Sequence, residues 1–337
     1  MPSTERFHQH LRAALGALPV QALGPHAASH GLDAVLGYAS TQGLLPASAW
    51  TGQFIRAYKS RLAVDLALPE ALQRIGAALE DAGVDALLLK GEAWSRTIYP
   101  VYGVRSRCDC DIWVRRTQRD HAIGILRGLG IHEVRPYACA GEVLTPEALF
   151  RGMGLNVDLH WQLSTLSPLC RGLDFERCWK SAVPVPNLSP WRMLGPVESL
   201  LHAAVHFACP GPSGPRWIWA LDGLLLLDWA ALSPPDVADL AQQAGIDDLW
   251  REYLSYTRHL TGSSHRTAPA PHAPRPGREL RLLLTRADWP ARLQLLHELF
   301  WPRAAYLRDR YPDSRAPLPW LQVRRWLASA KKWARRQ

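Results

Sequence analysis

Two aspartates in the segment RCDCDIWV (107–114), Asp109 and Asp111, stand two residues apart. The apolar run Cys110–Val114 reads as a strand, and on a strand residues i and i+2 share one face with Cα atoms roughly 7 Å apart. Carboxylates so placed suit one hard cation, or a pair about 3.5–4 Å apart. Mg²⁺ is the expected ion, with Mn²⁺ as the alternative. Mg²⁺ takes oxygen ligands and keeps several waters, which leaves room for phosphate. Without a cation, two like charges on one face repel each other. The plainer reading of the pair is a solvated strand end.

Asp158 and His160 add to this pattern. Residues 155–163 alternate, with Leu155, Val157, Leu159 and Trp161 on one face and Asn156, Asp158, His160 and Gln162 on the other, the period of a half-buried strand. If that strand lies beside the Asp109/Asp111 strand, Asp158 brings a third carboxylate to the site, able to bind metal or to deprotonate an acceptor hydroxyl. His160 reads more simply as a structural hydrogen-bonding group. Upstream, the apolar run 85–90 ends at Lys90-Gly91. A strand-to-helix turn there would offer backbone N–H groups to an anion, with Gly91 allowing close approach and Lys90 adding a charge. It is no Walker A loop, since GxxxxGK[ST] is absent. Arg105 and Arg107 flank the aspartates and could neutralise a triphosphate, or pair with the aspartates themselves. His202 and His206 have the i, i+4 spacing of a metal pair, but without an HExxH motif they read as core histidines.

The elements that must position these groups form three blocks. Residues 1–69 read as an N-terminal helical segment, with Pro69 as an interruption and Gly83 as the stop of the next helix. Residues 70–185 read as a small α/β unit, with strands expected at 85–90, 110–114, 131–139 and 155–163 and a helix at 118–129. Residues 186–337 read as helical, with helices near 198–208, 217–232, 236–244, 249–260, 278–285, 291–301 and 320–335. A Pro-, Ser- and His-rich stretch at 261–277 is expected to be a flexible loop.

Composition sets the outer bounds. The 337 residues are 47% hydrophobic and 20% charged, as in ordinary globular domains. The net charge of +9 favours anionic partners without choosing among them. The six cysteines, at 108, 110, 139, 170, 178 and 209, form no CxxC pair and no zinc pattern. The N-terminal residues lack the apolar core of a signal peptide, and no apolar run is long enough to span a bilayer. A cytoplasmic protein with reduced thiols is the simplest expectation. The segment from Trp320 interleaves Trp with Arg and Lys. It suits a membrane surface or an acidic partner, or a terminal helix that packs its Trp residues on the body.

Taken in order, LLLKGEAWSRTIYP, GVRSRCDCDIWV, NVDLHWQL, ESLLHAAVHFA and WALDGLLLL resemble the uncharacterised nucleotidyltransferase family of the polymerase-β-like superfamily, a type often found near peptide-modification genes. The resemblance covers about residues 80–230. It implies an α+β fold, a small mixed palm-like sheet flanked by helices, and transfer of a nucleoside monophosphate from an NTP, ATP by default. The acceptor would be an oxygen on a peptide, protein or small molecule. By motif, Asp109, Asp111 and Asp158 match the metal and catalytic positions. Lys90, Gly91, Arg105 and His160 match the nucleotide side, joined there by Arg107, and Asp222 matches an Asp of unassigned role. Glu92 departs from the Gly-Ser of the wider superfamily. An acid there would repel a triphosphate unless it turns away or binds metal. It keeps open a degenerate, non-catalytic nucleotide- or peptide-binding module. An RNA-directed transferase is the third reading, permitted by the basic tail but not favoured, since no nucleic-acid motif accompanies it.

Overall fold

The computed structural model describes residues 3–17, 24–134, 146–166, 170, 172–209, 214–259 and 278–334. The expected loop at 261–277, most of the strand expected at 131–139, and Cys139 lie outside these residues.

Three helices come first: α1 (Thr4–Ala17), α2 (Asp33–Thr41) and α3 (Thr51–Asp81). The sheet unit follows as β1 (Ala86–Leu88), α4 (Lys90–Thr97), β2 (Cys110–Val114), α5 (Arg119–Gly128), β3 (His132–Glu133), β4 (Glu147–Gly152), β5 (Leu155–His160), α6 (Phe175–Ser181), β6 (Val183–Pro184) and β7 (Arg192–Met193). Helices close the chain: α7 (Pro196–Ala208), α8 (Trp217–Ala230), α9 (Pro234–Gln243), α10 (Asp247–His259), α11 (Arg278–Arg286), α12 (Trp289–Phe300), α13 (Ala304–Arg310) and α14 (Leu318–Ala334).

The described strands form one mixed sheet in the order β3-β4-β5-β2-β1-β7-β6. The central pair β2/β5 is parallel, and β1 runs antiparallel to β2 and parallel to β7. β1 and β2 are buried along their whole length, β1 through an unbroken apolar sequence and β2 with Asp111 as its one charged residue. On β5, Leu155, Val157 and Leu159 are buried and Asn156 and Asp158 are half-buried. The fold is therefore α+β with a mixed sheet and flanking helices, as the sequence leads one to expect.

One expectation fails. Pro69 does not interrupt the chain, because α3 is a single helix of 31 residues that passes straight through it. A proline inside a helix costs about 3 kcal/mol through its missing N–H and its clash with the carbonyl four residues back. Packing on both sides of the break offsets that cost: Phe54 and Asp65 are buried before Pro69, and Leu72, Ile75 and Leu79 after it. The indole of Trp191 also donates to the Leu72 carbonyl at 2.7 Å, tying the second half of α3 to β7. Gly83 ends the helix in the left-handed region at φ 67°, as its position suggests.

Candidate active site

β1 leads through Leu89, whose N–H donates to the Asp111 carbonyl, directly into Lys90. Lys90, rather than Gly91, sits in the left-handed region at φ 39°. That backbone turn carries its Nζ to Asp111 Oδ1 at 2.9 Å. His160 Nε2 reaches the same oxygen, also at 2.9 Å. Register explains the convergence. β2 and β5 pair in parallel with Asp111 opposite Asp158, and His160 lies two residues on along the same face. Glu147 is paired in register with His160 from β4, with Oε2 3.0 Å from Nδ1. Asp109 stands immediately before β2 and is exposed.

Lys90, Asp109, Asp111, Glu147 and Asp158 line a cavity of about 280 Å³, which is also lined by His206 of α7, by Arg216 just before α8 and by Ile218 and Trp219 of α8, while His160 lies buried behind Asp111. Within it the carboxylates differ in character. Burial raises the pKa of Asp111, yet Lys90 and His160 more than offset this and hold it well below the usual carboxylate range. Asp109 is raised by its enclosure and by the charge of Asp111. Asp158 is pushed up to about 7 by burial and then by Asp111, Asp109 and Glu147.

The donor set fits a divalent cation. Asp109 and Asp158 accept no hydrogen bond and form no ion pair with any described residue, and Asp111 uses only Oδ1. Carboxylate oxygens without protein donors among the described residues therefore face one cavity, where burial first and then mutual repulsion raise Asp109 and Asp158. They do not close into a cage: no group of three or more His, Cys, Asp or Glu side chains among the described residues is drawn up for a metal ion. Proteins in general hold Mg²⁺ through one or two carboxylates rather than a closed cage, leaving the rest of its shell to water and substrate phosphate.

The cations are arranged differently from the expectation. Arg105 and Arg107 border the cavity, but their guanidinium groups are engaged behind it. Arg105 grips the fully buried Asp222 of α8 in bidentate fashion, Nε to Oδ1 at 2.9 Å and Nη2 to Oδ2 at 2.7 Å. The Tyr99 hydroxyl donates to the same carboxylate at 2.7 Å. Arg107 binds Glu92, and its Nη2 lies 2.8 Å from Asp65 Oδ1. Gly91 also differs in purpose: a Cβ there would meet Arg105 Nη1 at 2.7 Å and Arg107 Cβ at 3.2 Å, so the glycine makes room for the arginines. Glu92 turns away from the cavity, is 1% exposed, and accepts from Arg96 and Arg107. Despite burial, those two arginines hold its pKa down. It therefore presents no acid to a bound phosphate, and the sequence argument for a degenerate site loses its basis.

Asp222, whose role the sequence left blank, is the anchor of Arg105. Asp228, on the same helix, pairs with Arg6 and His10. His202 is fully buried in the core and neither ring nitrogen has a hydrogen-bond partner among the described residues. His206 faces the cavity with Trp219 edge-on at 4.6 Å between centroids. Burial, then the Lys90 charge, push His206 well below the usual histidine range, so its imidazole is neutral.

Arg216 was not singled out by the sequence. It lines the cavity, and Lys90, Arg105 and Arg107, the other cations there, are each bound to an internal carboxylate. The Arg216 side chain makes no hydrogen bond or ion pair with a described residue, although its charge is felt at Asp109. No sequence signal marks it beyond its place just before α8 in PRWIW.

A mixed sheet that gathers carboxylates and basic groups around one cavity has the parts that phosphoryl chemistry uses. Residues 20–262 match the model of a family described as uncharacterised nucleotidyltransferases, and the chain belongs to that family. The protein is thus a nucleotidyltransferase by family. Among curated proteins none matches it. Two solved structures of the antibiotic-resistance factor ANT(2'')-Ia are similar at 13% identity, one in solution and one in complex with adenylyl-2''-tobramycin. Their TM-scores are 0.40 and 0.38, covering 58% and 56% of this chain and 97% of theirs. At those scores the likeness carries no conclusion about the site.

Proposed function

We propose that this chain transfers a nucleoside monophosphate from an NTP to an acceptor oxygen on a peptide, protein or small molecule, the acceptor oxygen bonding to the α-phosphorus as the α–β phosphoanhydride bond breaks and pyrophosphate leaves, using Mg²⁺ held by Asp109, Asp111 and Asp158. The observation that carries the reading is the set of carboxylate oxygens without protein donors facing one cavity, with Asp111 and Asp158 opposite each other on neighbouring strands. A divalent cation bound there would neutralise phosphate charge and align the triphosphate for in-line displacement. Lys90 fixes Asp111 and adds positive charge beside the phosphates. Arg216, the cation without an internal partner, holds the outer phosphates from the opposite wall. Asp158 accepts the proton of the attacking hydroxyl. His206, neutral and backed by Trp219, bounds the nucleoside side of the cavity. ATP is the default donor. The RNA-directed reading has no support at the site, because the cavity-lining arginines at 105 and 107 face internal acids.

Titration calorimetry of ATP, GTP, CTP and UTP with Mg²⁺ tests the donor site. Metal-dependent binding of at least one nucleotide is expected, lost in the Asp109→Asn/Asp111→Asn double variant. Arg216→Ala should weaken the same binding by about tenfold or more, the scale of one charge-assisted hydrogen-bonding group. Absence of binding for all four nucleotides would sink the proposal.

The pKa of Asp158 gives the reaction a pH signature. A proton must leave this carboxyl before it can ligate or act as base, so Mg²⁺ affinity should fall by about tenfold per pH unit below roughly 7. The same group sets a stability slope in the metal-free protein. Its folded pKa is raised above the unfolded value, so ionising it costs stability as pH rises towards 7. Asp158→Asn should abolish the metal slope and stabilise the metal-free fold above pH 7. An unchanged slope in the variant would assign the titration elsewhere.

A further inference from the structure

Residues 278–337 carry 14 Lys and Arg against 5 Asp and Glu, so the whole +9 excess lies there and residues 1–277 are neutral. This segment lies outside the family match at 20–262 and contributes nothing to the cavity. Its helices are amphipathic the wrong way for a packed terminal segment. α12 buries Leu295 and Glu298 and leaves Trp289, Leu293, Leu296 and Phe300 exposed, at spacings of four, three and four, a single stripe of the helix. α14 buries Leu321 and Gln322 and exposes Trp320, Val323, Trp326 and Leu327. Trp289 is 70% exposed, and Trp320 at 59% and Trp326 at 38% do not follow the expectation that the segment from Trp320 tucks its Trp residues onto the body.

The two stripes join. Trp326 donates to the Phe300 carbonyl, and the Trp301 ring lies 6.2 Å from Trp326 and 5.9 Å from Phe300 between centroids. The result is one continuous aromatic and aliphatic surface, larger than the scattered apolar side chains normal on a protein. Cations border it. Arg324 follows Trp320, and Lys331 follows Leu327, each one helical turn on, and Arg303, Arg308 and Arg310 are exposed nearby. No described helix is long and apolar enough to cross a membrane.

We propose that α12–α14 form a peripheral membrane-binding face that seats its Trp and Leu side chains in the headgroup boundary of a bilayer rich in anionic lipid. Charge complementarity selects this occupant. Tryptophan and leucine on one face with arginine and lysine beside them is the composition of an interfacial helix, and basic residues near an anionic surface add to the attraction one by one. The remainder of the chain carries no net charge to offset it. The binding is independent of the nucleotidyl-transfer reading.

The test is co-sedimentation of the full chain with phosphatidylcholine vesicles, with and without phosphatidylglycerol. Binding is expected only to the anionic vesicles, weakening with salt. Arg324→Ala should weaken it roughly fivefold. The quadruple variant Trp289→Ser/Leu293→Ser/Trp320→Ser/Leu327→Ser should abolish it. Those side chains are exposed, and an unchanged circular dichroism spectrum and nucleotide affinity would establish that the variant is folded. Equal binding to neutral vesicles would overturn the proposal, as would no binding to either. Self-association in gel filtration that the quadruple variant removes, without vesicle binding, would assign the face to a second copy instead. Binding of RNA that survives the quadruple variant, again without vesicle binding, would likewise refute it.

Discussion

Asp109→Asn should lower turnover about a thousandfold while leaving the fold intact. Removing one preorganised electrostatic group at a reacting centre costs 10²–10³ in kcat in general, and here the group is also a proposed metal ligand. The fold should not suffer, because Asp109 is exposed and has no hydrogen-bond or ion-pair partner among the described residues. A surface change of this kind shifts stability by about 0.5 kcal/mol or less. The sign of the small shift is itself informative. Asp109 is raised by its enclosure and by Asp111, so neutralising it relieves repulsion and the metal-free variant should unfold at slightly higher urea. Added Mg²⁺ should stabilise the wild type and not the variant. Single-turnover assays with each NTP, beside urea unfolding with and without Mg²⁺, separate the two effects. Full activity in the variant would refute the metal assignment.

The second large effect is structural. Asp222→Ala should destabilise the protein by about 3–5 kcal/mol, the cost of leaving a buried charge without its partner. Arg105 and the Tyr99 hydroxyl both converge on this carboxylate, which is fully buried. Burial opposes the charge on Arg105, and Asp222 more than restores it. Arg105→Met/Asp222→Leu should recover much of the loss, since a buried ion pair and an apolar pair of similar volume differ far less than a pair and its half. Thermal unfolding of the two single variants and the double variant forms the cycle. A cost below about 1 kcal/mol for Asp222→Ala would mean that water or another donor satisfies Arg105.

What could be read in advance follows the range of the interactions. The Asp109/Asp111 spacing and the alternation of 155–160 are local and periodic, so the strands and the shared face of Asp111, Asp158 and His160 were legible. The partners of the arginines were not. Arg105 and Asp222 are 117 residues apart, and nothing near Arg105 tells an arginine that faces substrate from one that faces an internal acid. Glu92 was read as a liability because it follows Gly91. Its rotation away from the cavity depends on Arg96 one turn on and on Arg107 from the next loop. Arg216 is a single cation in a tryptophan-rich run, and only the emptiness of its surroundings marks it. β4 alternates poorly in sequence, with Leu149 exposed between Ala148 and Phe150, and β6 and β7 have two residues each, too short for any period to register.

The loop that carries Arg105 and Arg107 into Asp109 is held by acids from three separate stretches of chain: Asp65 on α3, Glu92 on α4 and Asp222 on α8. Only Glu92 belongs to the sheet unit. A catalytic fragment trimmed to the strands would keep every proposed ligand for metal and lose two of the three clamps that aim them. The chemistry of this protein is therefore not portable as a cassette. Grafting it onto another scaffold would have to bring along a helix from before the sheet and another from after it.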